Sequence, residues 1–220
     1  MNPRPEPLES RGRTATGIAA VSAGMILFAL VSHQGLPWLV LGAGGLLIAA
    51  RAIAWSQSGD SRPAAVLGLD RLSMKIAVFT LFGVGAGAGG GLLHRNALGI
   101  ALQPAEGVEP FVVVACLVGA AEELVYRGWL LGKARAFGWP AAVVIATFAH
   151  AAYKTVLFAW PATPFPVDLR EIALWTAVGG IVLSLLRVFS GSVTPSIVAH
   201  VVFDFVVYRS VGDAPWWVWG

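Results

Sequence analysis

The chain has 220 residues, 57% of them hydrophobic and only 12% charged, with a mean hydropathy of +0.74. Soluble domains carry about 25% charged residues. This chain therefore lacks the polar surface of a water-facing globule and reads as an all-α polytopic membrane protein, built as a single transmembrane domain. The pI near 9.4 does not point to nucleic acid, because Lys and Arg stand singly at the ends of apolar runs and no patch mixes them with aromatics. A single cysteine, Cys116, rules out an internal disulfide and a CxxC metal motif.

Residues 1–14 are polar and proline-rich and read as a disordered cytoplasmic tail. The apolar run that follows is too long for the core of a signal peptide and no small-residue cleavage site follows it, so it is taken as a retained first span. A membrane-crossing helix needs about 20 apolar residues. About seven stretches qualify, at 15–33, 36–55, 73–93, 108–132, 139–159, 169–190 and 194–211, the first two of which could instead form a hairpin that crosses only partly. Pro140 and Pro195 suit first-turn positions, Thr194 suits an N-cap, and Asp168 with Glu171 resembles a capping pair. The expected domain spans 15–211, with a catalytic core at about 108–208 and an aromatic tail, residues 212–220, at the outer face.

With the N-terminus cytoplasmic, the inside segments hold Arg4, Arg11, Arg13, Arg51, Arg62, Arg71, Lys75, Lys133, Arg135 and Arg187, whereas the outside segments hold only Arg95, Arg170 and Arg209. That asymmetry fits the positive-inside rule. The stretch "GVGAGAGGG" contains a GxGxxG match at Gly85, Gly87 and Gly90. A dinucleotide fingerprint needs a soluble strand before it and a helix start after it. Neither is present, and close helix packing through small residues is the expected role.

Once loop and helix-end charges are set aside, Glu122, Glu123, Arg127, His150, Lys154, His200 and Asp204 remain within the spans. Each costs about 2.5–3.5 kcal/mol at mid-helix unless paired or hydrated. At 1.5 Å per residue, Glu122 lies about 15 Å from the cytoplasmic end of its span, His150 about 15 Å into the next, and His200 roughly 8–12 Å into the last. Three helices thus deliver ionisable groups to one layer. Glu123 and Arg127 are four apart with the acid first, the better order for a pair, and His200 and Asp204 share a face at the same spacing. Glu122 points about 100° away from Glu123, toward His150 and a water. A carboxylate in a low-dielectric site is a usable general base, a histidine can orient the same water, and a second histidine beside an aspartate can donate to a developing oxyanion. The chemistry implied is amide hydrolysis in a membrane-embedded cavity.

These residues resemble the motifs of the CPBP family of intramembrane proteases, which includes the CAAX prenyl endopeptidases and bacterial Abi-type proteins. EExxxR is matched by Glu122, Glu123 and Arg127, FxxxH by His150, and HxxxD by His200 and Asp204, over about residues 108–208. One departure stands out: the phenylalanine expected four residues before His150 is Ala146, and Phe148 is two residues off. The resemblance implies an intramembrane endopeptidase in which Glu122 activates water beside His150, His200 and Asp204 stabilise the oxyanion, and Glu123 and Arg127 support. It favours a glutamate mechanism with no obligatory cofactor. Zinc held by Glu122, His150 and His200 is left open by the sequence, although HExxH is absent.

Lys154 shares a face with His150 and is expected to snorkel toward the outer interface or to help hold a substrate carboxylate. Trp129 and Trp139 flank the cytoplasmic end of the site, where interface anchoring is the default; Trp129 is also a weak candidate for substrate contact. Cys116 is expected to pack. The expected partners are the bilayer and a membrane-tethered or hydrophobic peptide substrate, in a bacterial inner membrane. The alternative from another class is a proton-coupled transporter or channel, since buried Glu, His and Asp also build proton relays; no inverted repeat supports it.

Overall fold

The computed structural model describes residues 8–31, 63–69, 73–97, 99, 110–159 and 168–209. Among these residues all regular structure is helical. Helix α1 is Leu8–Val31, α2 is the short Pro63–Leu67 and α3 is Met74–Ala97. Helix α4 begins as Pro110–Glu123, widens into a π-helical segment at Leu124–Leu130 and resumes at Leu131–Ala134. Helices α5, Trp139–Ala159, α6, Leu169–Ser190, and α7, Thr194–Tyr208, complete the fold. Helices therefore occupy six of the seven expected stretches. The stretch 36–55 and the tail 212–220 lie outside the described residues. Among the described residues, four helices are long and apolar enough to cross a membrane: Arg11–Leu30 within α1, α3, α5 and α6.

Two local expectations need correction. Helix α1 starts at Leu8, so the second half of the expected tail is helical. The prolines of the tail all precede Leu8 in the sequence, and Leu8, Glu9, Arg11 and Arg13 are good helix formers. Thr194 is the first residue of α7, not its cap. The N-terminal amide of Thr194 is served by Ser192, whose Oγ accepts from it at 3.2 Å. Asp168 does cap α6, its Oδ1 accepting from the Arg170 N–H at 2.8 Å and the Glu171 N–H at 3.4 Å.

Helix α7 packs against α3, α4 and α6, while α5 packs against α6 and α1. The α3–α7 contact is made by glycine. A Cβ on Gly83 would stand 2.5 Å from Pro195 O, one on Gly87 would strike Ala199 O, and one on Gly91 would lie 2.8 Å from Val206 Cβ. Without side chains at these positions the two backbones touch, the way helices associate when lipid removes the hydrophobic drive. Of the GxGxxG glycines, Gly87 and Gly90 face α7 and Gly85 faces open space. At the far end, Arg95 Nη1 donates to the Val207 carbonyl at 2.9 Å and the Val206 carbonyl at 3.3 Å, filling acceptors that the last turn of α7 leaves open. Large apolar side chains such as Leu81, Phe82, Leu93, Leu117, Phe148 and Trp175 point outward, as a lipid-facing surface requires.

Candidate active site

The site forms where α4, α5 and α7 meet. Helix α4 brings Glu122, Glu123 and Arg127, α5 brings His150 and Lys154, and α7 brings His200 and Asp204. Glu122, Glu123, Arg127, His150 and Asp204 are all buried. The seven ionisable residues singled out in the sequence are thus one cluster.

Arg127 is its hinge. Its Nη1 donates to Glu123 Oε1 at 2.8 Å and to His150 Nδ1 at 2.9 Å. A guanidinium can only donate, so Nδ1 of His150 is the unprotonated acceptor and Nε2 carries the ring proton. Nε2 then donates to Glu122 Oε2 at 3.2 Å. Tyr126 stacks on the His150 ring with centroids 4.5 Å apart. The aromatic partner of this histidine comes from α4: Ala146 is fully buried and Phe148 faces outward. Tyr126 is a site residue that sequence reading missed, although its position between Glu122 and Arg127 was a signal.

On the other side, His200 Nδ1 donates to Glu123 Oε1 at 2.9 Å. The orienting carboxylate of His200 is therefore Glu123, not the aspartate on its own helix. Asp204 Oδ2 lies 3.8 Å from His200 Nε2, and Glu122 Oε2 lies 3.9 Å from the same atom. These gaps are too long for a direct hydrogen bond, and a water could bridge either one. Gly119 makes the approach of α4 to α7 possible, since a Cβ there would strike Asp204 Oδ2 and lie 3.1 Å from His200 Cδ2.

Two residues differ from expectation. Lys154 does not reach away toward an interface: its Nζ stands 2.9 Å from Glu122 Oε1. The low-dielectric layer makes a carboxylate the better partner for an ammonium than a distant headgroup. Trp129 is only 2% exposed and belongs to the apolar core with Tyr126, Leu130 and residues of α1 and α5, so it neither anchors an interface nor lines an open site. Trp139, by contrast, is exposed. Cys116 packs as expected, its thiol directed at the Val201 carbonyl, 3.5 Å away.

An apolar groove of about 270 Å³ runs between α4 and α7, lined among others by Cys116, Leu117, Ala120, Val201 and Phe205. Ala120 and Val201 neighbour Gly119 and His200 in sequence, which puts the groove beside the cluster. Within the cluster, His200 and Lys154 are the more accessible side chains, at 12% and 15% exposure against 3% for Glu122. Among the described residues, no three His, Cys, Asp or Glu side chains are arranged to hold a metal ion.

Residues 104–206 match the family model described as type II CAAX prenyl endopeptidase Rce1-like. This segment resembles an Rce1-like domain. The matched range contains every motif residue from Glu122 to Asp204, and the matched family is one of membrane proteases. Among curated proteins and solved structures, nothing matches the chain. The helices before residue 104 lie outside the match.

Proposed function

We propose that the chain is an intramembrane endopeptidase that hydrolyses a peptide bond in a membrane-associated substrate. The observation that carries this reading is the meeting of Glu122 with His150, His200 and Lys154 in one buried layer. A water seated beside Glu122 Oε2 and His200 Nε2, within hydrogen-bond reach of both, would touch the carboxylate that takes its proton. Glu122 acts as general base, and its position is held by the Nε2–H of His150 and by Lys154. As the water oxygen attacks the scissile carbonyl, negative charge builds on the carbonyl oxygen. His200, its Nδ1–H fixed by Glu123, stabilises that charge in its doubly protonated form, in which Nε2–H also donates on the side of Asp204. The proton taken by Glu122 then passes to the leaving nitrogen. The apolar groove between α4 and α7 offers a hydrophobic tail a path to the same point from the bilayer.

The mechanism we infer needs no metal. Zinc at His150 would require a lone pair at Nε2, yet the Arg127 guanidinium at Nδ1 forces the proton onto Nε2. A dication would also face the Lys154 ammonium already beside Glu122. The transporter reading has no comparable support, since the ionisable groups gather in one cluster instead of stepping across the bilayer.

The test is cleavage of membrane-tethered reporter peptides by purified protein in liposomes, comparing wild type with Glu122→Ala, each with and without a strong chelator. Cleavage that survives chelation and is lost in Glu122→Ala is the expected result. Cleavage abolished by chelator and restored by zinc would overturn the metal-free mechanism. Cleavage unaffected by Glu122→Ala would overturn the assignment of the base.

A further inference from the structure

Arg187 lies on α6, outside every motif, and is 3% exposed. Its Nε donates to the backbone carbonyl of Arg127 at 3.3 Å, and its Nη2 donates to the carbonyl of Val66 at 3.1 Å. The first acceptor sits in the middle of the π-helical segment. There the backbone ladder is shifted: the Leu131 N–H reaches Tyr126 O, five residues back. A π turn inside an α-helix is a local departure that needs outside support, and such turns gather at functional sites.

The surroundings of Arg187 are shaped to admit it. Gly68 has φ +67°, and a Cβ there would stand 2.7 Å from Arg187 Cζ and 2.6 Å from Gly191 O. A Cβ on Gly128 would lie 2.8 Å from Leu67 Cδ2, and one on Gly132 would lie 2.5 Å from Val66 O. The segment around α2 therefore rests directly on the π turn and the helix after it, and the Arg187 fork ties the two together. Arginine suits this task because its donors have a fixed planar geometry that spans two acceptors at once.

We infer that Arg187 is a positioning residue: by holding the backbone of Arg127, it fixes the guanidinium that orients Glu123 and sets the tautomer of His150. The carbonyl it grips and the side chain that reaches Glu123 and His150 belong to the same residue. A shift of the π turn would move the Arg127 Nη1 away from His150 Nδ1, and His150 would then be free to carry its proton on either nitrogen. The proton presented to Glu122 depends on that choice. The consequence for turnover rests on the proteolytic reading above, but the effect on the tautomer does not.

The experiment compares wild type, Arg187→Gln and Arg187→Lys in lipid bilayers, using ¹⁵N-histidine solid-state NMR with His150 assigned by subtraction of a His150→Gln spectrum. Cleavage kinetics and thermal unfolding are measured on the same preparations. Wild type is expected to show the Nε2–H tautomer alone. Arg187→Gln is expected to show a mixture, with kcat lowered about 10- to 100-fold, the usual range for a supporting-shell residue, and KM within about twofold. Arg187→Lys keeps the charge and a donor group but loses the planar fork, and should fall between the two. A folded Arg187→Gln with a single tautomer and wild-type kcat overturns the inference. So does failure of both variants to fold, which makes Arg187 a folding residue only. A wild type that cleaves nothing, yet whose tautomer is unlocked by Arg187→Gln, supports the positioning role and sinks the protease reading instead.

Discussion

Alanine in place of Gly119 is a one-carbon change with two opposing effects. In a helix interior, alanine is favoured over glycine by about 1 kcal/mol. Here, however, its Cβ would strike Asp204 Oδ2 and press to 3.1 Å from His200 Cδ2. Asp204 is only 6% exposed, which leaves its carboxylate little room to turn aside. Forcing an extra carbon into a packed site costs about 1–3 kcal/mol, so the clash should outweigh the propensity gain and leave a net loss of up to about 2 kcal/mol. The cost belongs to a specific neighbour, which makes it separable. In an Asp204→Ala background the obstructing oxygen is gone, and Gly119→Ala should become neutral or stabilising by up to about 1 kcal/mol.

The assay is a double-mutant cycle on unfolding free energy in detergent, run on wild type, Gly119→Ala, Asp204→Ala and the double variant. The expected coupling is about 1–3 kcal/mol, well outside the ~0.5 kcal/mol that independent sites show. Additivity within that margin would refute the close approach of α4 to α7 on which the site depends. In the cleavage assay, Gly119→Ala alone should lower kcat on the order of 10²-fold, the usual effect of a displacement of about 1 Å in a catalytic group.

Three other perturbations have expected outcomes. Gly87→Ala pushes a carbon into Ala199 O and should destabilise by about 1–3 kcal/mol, while Gly85→Ala, with nothing within 4 Å, should leave the unfolding midpoint unchanged or slightly raised; equal effects would sink the assigned α3–α7 face. Arg127→Met strips a buried carboxylate of its partner, and one-sided loss of this kind costs about 3–5 kcal/mol, whereas the double variant Arg127→Met, Glu123→Leu should recover most of it; unfolding of both in detergent decides. Lys154→Met removes a charged contact worth about 1.5–3 kcal/mol and should weaken cleavage as well as stability; a fully active Lys154→Met protein would remove Lys154 from the site.

The ionisable residues themselves were legible in the sequence, because a charge inside an apolar run has few bland explanations. Their layer was legible too, since a helix rises uniformly and three helix starts could be located from proline and loop signals. Partner choice was a different matter. His200 and Asp204 are four residues apart, and sequence spacing offers them to each other, yet His200 bonds to Glu123 on another helix. Spacing reports which groups share a face and is silent on what the facing helix presents. Lys154 was misdirected for the same reason: its distance from the outer end of its span suggested an interface, while the nearer carboxylate came from α4. The π-helical segment left no pattern to read, because Leu124, Val125, Trp129 and Leu130 around Arg127 suit an ordinary α-helix equally well. Trp129 looked like an interface residue because its place near the end of its span does not reveal that α1 and α5 pack over it.

Electrostatics explains why the cluster takes the form of a connected chain. His200, Glu123, Arg127, His150, Glu122 and Lys154 follow one another through contacts of 2.8 to 3.2 Å. A lone carboxylate at this depth would be too costly to keep charged, and a lone ammonium equally so. In the chain each permanent charge touches one of opposite sign: Arg127 meets Glu123, and Lys154 meets Glu122. The two histidines are the adjustable members, one with its proton placed by Arg127 and the other with a nitrogen left facing Glu122 and Asp204. Asp204 stands just outside hydrogen-bond reach of that nitrogen, so the end of the chain at His200 Nε2 is where a proton, a water or a polar group of a substrate can be accommodated without breaking the pairs that make the layer tolerable in a membrane.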